Sequence, residues 1–204
     1  FLMAYARTAD IKHFHLADEM ARHLMDVDII RHQSGSQPVV GLPRLHGPNH
    51  RSRNTGGDDP EVGHIWNEGL VEYYWLTGDV RALETACGMA DAIAVGWAGS
   101  KDAQQYERAT GWLTIACMAA YEATWDKKYL NAAKTMIDAV IRLQDPERGC
   151  WYMEQIEYDG KTMPDSCVWM TTGILCEGIY RYWKHDPRPD VRNSLCNAID
   201  FFIQ

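Results

Sequence analysis

Between Ile29 and Gly57 the chain has four arginines (Arg31, Arg44, Arg51, Arg53) and three histidines (His32, His46, His50), and no aspartate or glutamate. Acids follow at once: Asp58, Asp59, Glu61 and Glu68, with His64 and Asn67 among them. In a 204-residue chain of net charge −8, such a local cationic stretch suggests a site for something anionic. Arg44, Arg51 and Arg53 can clamp a carboxylate or sulfate through bidentate forks. In His46-Gly47-Pro48-Asn49-His50, Gly and Pro fix the backbone. His46 and His50 there can act as acid, base or hydrogen-bond donor, with Asn49 as a further substrate contact. The competing reading is a long surface loop whose arginines are solvated or paired with neighbouring helices.

Asp59-Pro60-Glu61 has the form of a helix start, with Asp59 as N-cap and Pro60 at the first helical position, where its missing N–H costs nothing. A helix from there puts Glu61, His64 and Glu68 on one face, with Asn67 beside His64. A carboxylate one turn from an imidazole orients it and raises its basicity, as a general base requires. The structural alternative is a buried histidine satisfied by Glu68. The same pair lacks a third metal ligand, so no metal is expected. Two more segments have the same character: Glu107-Arg108-Ala109-Thr110-Gly111-Trp112, and the run from Asp165 through Trp169 to Gly173. If the helices they open stand side by side, these segments converge on one rim. Trp66, Trp112, Trp151 and Trp169 then offer flat faces for stacking, unless they pack between helices instead.

The elements that must position these residues follow from a repeat. Tyr5-x4-Asp10, Tyr74-x4-Asp79 and Tyr121-x4-Asp126 each close one apolar run and open another, and Tyr180 to Asp186 is a longer fourth copy. Amphipathic runs follow each aspartate: Ile11, Phe14, Ala17, Ala21 and Leu24 in the first, Leu130, Ala133, Ile137 and Val140 in the third. Spacings of three and four define one buried helical face. The aspartates fit as N-caps, and Gly78 fits the left-handed end of the preceding helix. Four helical hairpins at uneven intervals predict an all-α, α/α repeat architecture. Arg31–Asp59 and Gln144–Ser166 are its long loops, and Gly149–Met153 with Gln155–Tyr158 can form a short strand hairpin at most.

Composition excludes several classes. No stretch approaches the ~18 apolar residues of a membrane span. Basic residues are local in a chain with 28 acids against 20 bases, which argues against nucleic acid as a partner. The six cysteines lack C-x-x-C or C-x-x-H spacing, so a structural zinc site is not expected. Cys87, Cys117, Cys176 and Cys196 read as buried free thiols, and a disulfide involving Cys150 or Cys167 stays open. The chain opens with Phe1, so its start says nothing of compartment.

Asn67-Glu68-Gly69-Leu70-Val71-Glu72-Tyr73-Tyr74-Trp75-Leu76-Thr77-Gly78-Asp79 is similar to the hairpin joint of six-hairpin, (α/α)6-toroid carbohydrate-active enzymes, which include glycoside hydrolases and polysaccharide lyases. Asp26-Val27-Asp28-Ile29 followed by His46–His50 resembles the loop before that hairpin in exo-acting rhamnogalacturonan-lyase-like proteins. Arg108-Ala109-Thr110-Gly111-Trp112 is similar to a helix start of unsaturated glucuronyl hydrolases, without its first glycine. The resemblance implies a single domain over residues 1–204, an incomplete (α/α)6 toroid with about four hairpins, belonging to a larger protein whose remaining domains are expected partners. It also places the active site in the central cavity, at the rim of the first-helix N-termini. Zinc-thiolate arabinofuranosidases share the fold and use adjacent cysteines; none occur here, so that subgroup is set aside and no cofactor is expected.

The expected function is an enzyme acting on an acidic poly- or oligosaccharide, with β-elimination favoured. Arg44, Arg51 or Arg53 would neutralise the uronate carboxylate, and His50 or His64 would remove the C5 proton. A hydrolase of the same fold is the alternative. It needs two carboxylates across the glycosidic bond, from Asp58, Asp59, Glu61, Glu68, Glu107, Glu154 and Asp165. A non-catalytic helical-repeat scaffold is the third reading; long loops and Trp-rich helix starts argue against it. The substrate-contact set is Arg44, Arg51, Arg53, Asn49, Trp66, Asn67, Trp112, Trp169 and Asp165, and the catalytic set is His46, His50, His64 and Glu68.

Overall fold

Three hairpin joints are closed by the same set of bonds. Thr8, Thr77 and Thr124 each donate their hydroxyl to the carbonyl four residues back and accept the amide of Asp10, Asp79 or Asp126. Each aspartate then accepts the amide two residues on, at 3.0 Å, capping the next helix. Between threonine and aspartate the backbone turns left-handed, at Ala9 (φ 56°), Gly78 (φ 75°) and Trp125 (φ 58°). Gly78 meets that demand without a Cβ penalty. Gly78→Ala is expected to cost about 1 kcal/mol, read as a lower urea midpoint.

The computed structural model describes residues 1–32, 39–44, 60, 62–100, 107–151, 157–158, 161–162 and 169–203. Its helices are α1 (Leu2–Thr8), α2 (Ile11–His23), α3 (Glu68–Thr77), α4 (Val80–Ala92), α5 (Glu107–Thr124), α6 (Lys127–Leu143), α7 (Trp169–His185) and α8 (Pro189–Ile203). They pair as hairpins α1–α2, α3–α4, α5–α6 and α7–α8, in the all-α, α/α-toroid manner expected. The fourth joint departs from the repeat: α8 starts at Pro189, and Asp186 accepts the Tyr182 hydroxyl at 2.5 Å instead of capping a helix. Arg188 closes this joint by bonding both Asp138 and Asp190.

First helices of the hairpins form one layer and second helices the other, each second helix also touching the next hairpin: α2 on α3, α4 on α5, α6 on α7. α5 is buried on nearly every side, with Leu113, Ala116, Cys117, Met118 and Ala120 fully enclosed. α6 shows the amphipathic stripe read from sequence, burying Tyr129, Ala133, Met136, Ile137 and Val140. α5 and α7 run in the same direction, since Glu107 meets Thr171 at one end and Glu122 meets His185 at the other. They approach closely because Gly111 and Gly178 sit at their crossing; a Cβ on Gly111 would lie 2.8 Å from the Ile174 backbone.

The long segment after α2 is not wholly a surface loop. Ile30 and Leu42 are fully buried, and isolated bridges join Ile29 to Pro43 and Arg44 to Pro60. The short strand pair lies later than its expected place, Glu157–Tyr158 against Lys161–Thr162. Cys87, Cys117, Cys150, Cys176 and Cys196 are free thiols.

Candidate functional site

No single helix carries both His64 and Glu68. Val62–His64 form one 3₁₀ turn, Ile65–Asn67 are irregular, and α3 begins only at Glu68. Two contacts favour the break over the expected helix. Gly63 lies under the Arg108 side chain, with room so tight that a Cβ would sit 3.0 Å from Nε. Asn67, fully buried, donates its amide to the carbonyls of Ala86 in α4 and Ala116 in α5 at 3.1 and 2.9 Å. Asn67 is therefore an anchor of the α3 start.

Residues 62–67 consequently run alongside the first half of α5 and deliver side chains to its N-terminal rim. His64 and Trp66 meet in a tilted contact at 5.3 Å, and Trp66 meets Trp112 edge-to-face at 6.0 Å. Trp66 stays 45% exposed, so the cluster presents an open aromatic face. Trp169 opens α7, the next helix of this layer. The expected convergence of helix starts is thus met for the 62–67 segment, α5 and α7. Trp151 is not part of it: it is buried and donates its indole N–H to the Val140 carbonyl at 3.0 Å.

Glu68 does not serve His64. It pairs with Arg181 of α7 at 2.5 Å, and Arg181 also holds Glu177 at 2.7 Å. Burial pushes the Glu68 carboxyl up, and Arg181 pulls it part of the way back. Arg181→Met is expected to cost about 1–2 kcal/mol, because Glu68 loses its partner while part of the pair stays in water. The check is thermal unfolding of the variant beside Arg181→Met with Glu68→Gln, which restores most of the loss.

The acid that the rim buries is Glu107, the first residue of α5. It is 3% exposed, and its two oxygens accept the hydroxyls of Thr171 and Thr172 at 2.6 and 2.8 Å. Among the described residues its partners are those two hydroxyls and no cation. Burial therefore raises its pKa, with the threonines opposing. Glu107 is one of seven candidate carboxylates in the sequence, and nothing there selects it. Thr171-Thr172 at the start of α7 is the signal available, since paired hydroxyls in a first turn can hold a buried acid. Arg44, half-buried, forms the bridge with Pro60. His46, Asn49, His50, Arg51, Arg53 and Asp165 lie outside the described residues, as do Asp58, Asp59, Glu61 and Glu154.

Comparison with known proteins supplies the family context of this rim. Residues 61–166, just over half the chain, match the family model described as Beta-L-arabinofuranosidase, GH127 catalytic domain. A 96-residue stretch is 30% identical to the non-reducing end beta-L-arabinofuranosidase of Bifidobacterium longum subsp. longum, covering 47% of this chain and 14% of that protein. The chain thus aligns with a small part of that relative's length. No solved structure matches. The match reverses the setting aside of arabinofuranosidases for want of adjacent cysteines, because the pattern shared over 61–166 does not depend on such a pair. It also falls on a family other than the two that the local motifs resemble.

The described residues themselves do not fit a zinc-thiolate centre. No group of three or more His, Cys, Asp or Glu side chains among them is placed to hold a metal ion. Burial raises the thiols of Cys87 and Cys117, and pushes Cys176 up to about 11.

Proposed function

The chain belongs to the GH127 β-L-arabinofuranosidase catalytic-domain family, and on that footing we propose that it contributes to a glycoside hydrolase releasing a β-L-arabinofuranosyl unit from the non-reducing end of an oligosaccharide. The observation that carries this reading is the family match across the segment that builds the rim, residues 61–166. The hydrolase alternative thereby takes the place of β-elimination.

Hydrolysis needs a proton for the departing oxygen as the anomeric C–O bond breaks, and water finally adds to the anomeric carbon, returning its proton to the acid. Glu107 suits the first task, since burial keeps its proton at pH values where exposed glutamates have lost theirs. Thr171, half-buried and bonded to it, links the acid to the rim surface. Trp66 and Trp112 support the sugar ring, with His64 in contact with the Trp66 indole.

The test is the intact protein incubated with an aryl β-L-arabinofuranoside and with arabinose-capped oligosaccharides. Release of free L-arabinose is expected. Absence of release, with a rise in the ultraviolet absorbance of unsaturated uronate from pectic substrates, would overturn the proposal.

A further inference from the structure

The far end of α5 carries a second aromatic cluster that the rim does not use. Trp125 stands at the left-handed position of its hairpin joint, where the other two joints hold Ala9 and Gly78. A small residue closes that turn, so the joint does not account for an indole. Trp125 is 66% exposed, which gives up the burial that usually holds a tryptophan in place. Its ring meets Tyr121 at 5.3 Å and His185 at 5.9 Å, both edge-to-face, and neither neighbour lies flat over it.

Polar groups of opposite hydrogen-bonding character stand beside this face. His185 Nε2 is 3.0 Å from Glu122 Oε1, and Lys184 Nζ is 3.7 Å from the same oxygen. Each of these side chains keeps about a fifth or more of its surface in water. At the same end of the neighbouring α3, Trp75 is 59% exposed. A flat apolar face flanked by a carboxylate acceptor and ammonium and imidazole donors matches a sugar ring, whose C–H face stacks while its hydroxyls bond at the edge.

We propose that Trp125, with Glu122, Lys184 and His185, forms a second oligosaccharide-binding site at the hairpin-joint end of the array. It rests on the carbohydrate reading above. The length of α5, about 25 Å, separates it from Glu107. It therefore binds chain remote from the bond cleaved and adds to the affinity for longer substrates.

Trp125→Gly tests this cleanly, because the α3–α4 joint already closes on a glycine. Thermal unfolding of the intact variant should be unchanged or slightly improved. Calorimetric titration with a long arabino-oligosaccharide is expected to weaken by about fivefold or more, with Glu122→Gln showing a smaller loss. KM for that oligosaccharide should rise with it, while kcat/KM for the aryl β-L-arabinofuranoside stays at the wild-type value. Oligosaccharide affinity equal to wild type in Trp125→Gly, with aryl-glycoside hydrolysis present, overturns this site alone. A wild-type protein that neither binds nor cleaves any arabinoside overturns the hydrolase reading and this site together.

Discussion

Glu107→Gln is expected to lower kcat on an arabinofuranoside by about 10²–10⁴-fold, the usual contribution of a positioned general acid, with KM nearly unchanged. The amide keeps the shape of the carboxyl and can still meet Thr171 and Thr172, so the α5–α7 contact survives while the transferable proton does not. The stability of the same variant gives an independent reading. The folded-state pKa of Glu107 is raised, chiefly by burial. A carboxyl raised in this way contributes stability that is fully present below its unfolded pKa and is lost as pH rises through its folded value. Ionising Glu107 in the folded protein therefore carries the penalty of a buried charge, which Gln avoids. The variant should be more stable than wild type once pH rises through the folded value, and the gain should fade as pH falls below the ordinary glutamate range. Activity should show the matching limb: the wild-type rate falls as pH rises through the raised pKa, and the residual rate of the variant lacks that limb. A variant that loses stability and keeps its activity would mark Glu107 as a structural clamp.

The architecture is legible in the sequence because hairpin joints are local. Asp10, Asp79 and Asp126 lie five residues after a tyrosine and two residues after a threonine, and each bond of the joint joins residues no more than four apart. Asp186 breaks the pattern because the chain there is one residue longer and Arg188 takes over the closing bonds. The convergence of helix starts is also legible, since parallel helices of one layer must present their N-termini together. Partners across helices are not. Periodicity on one helix says which residues share a face, and so it pairs His64 with Glu68. Nothing in that pattern says that Asn67 enters the core, that Arg181 reaches Glu68, or that two threonines some 64 positions on hold Glu107. The sequence favours β-elimination where the family match favours the hydrolase alternative, for a related reason. The arginine and histidine segment points towards uronates by composition alone, and most of it lies outside the described residues.

Gly111→Ala tests whether the acid depends on the close approach of α5 and α7. The added methyl would come to 2.8 Å from the carbonyl carbon, carbonyl oxygen and Cγ2 of Ile174. Two of those three atoms are backbone, so a rotamer change cannot clear them and the helices must move apart. The expected cost is about 2–3 kcal/mol, seen as a lower urea midpoint with an unchanged slope. Ile174→Ala added to the variant should rescue little, because it removes only Cγ2. Gly173 is next in sequence to Ile174 and lies within α7, yet a Cβ added there would meet nothing within 4 Å. Gly173→Ala is therefore expected to stabilise by about 0.5–1 kcal/mol through helix propensity. One methyl on each of two glycines thus gives opposite signs, a contrast that propensity alone cannot produce. Glu107 and its two threonines sit one turn from Gly111, so separation of the helices also lengthens their bonds. Activity should fall with stability in Gly111→Ala and hold in Gly173→Ala. Equal activity in both variants would detach the acid from the helix crossing and leave Gly111 a packing residue.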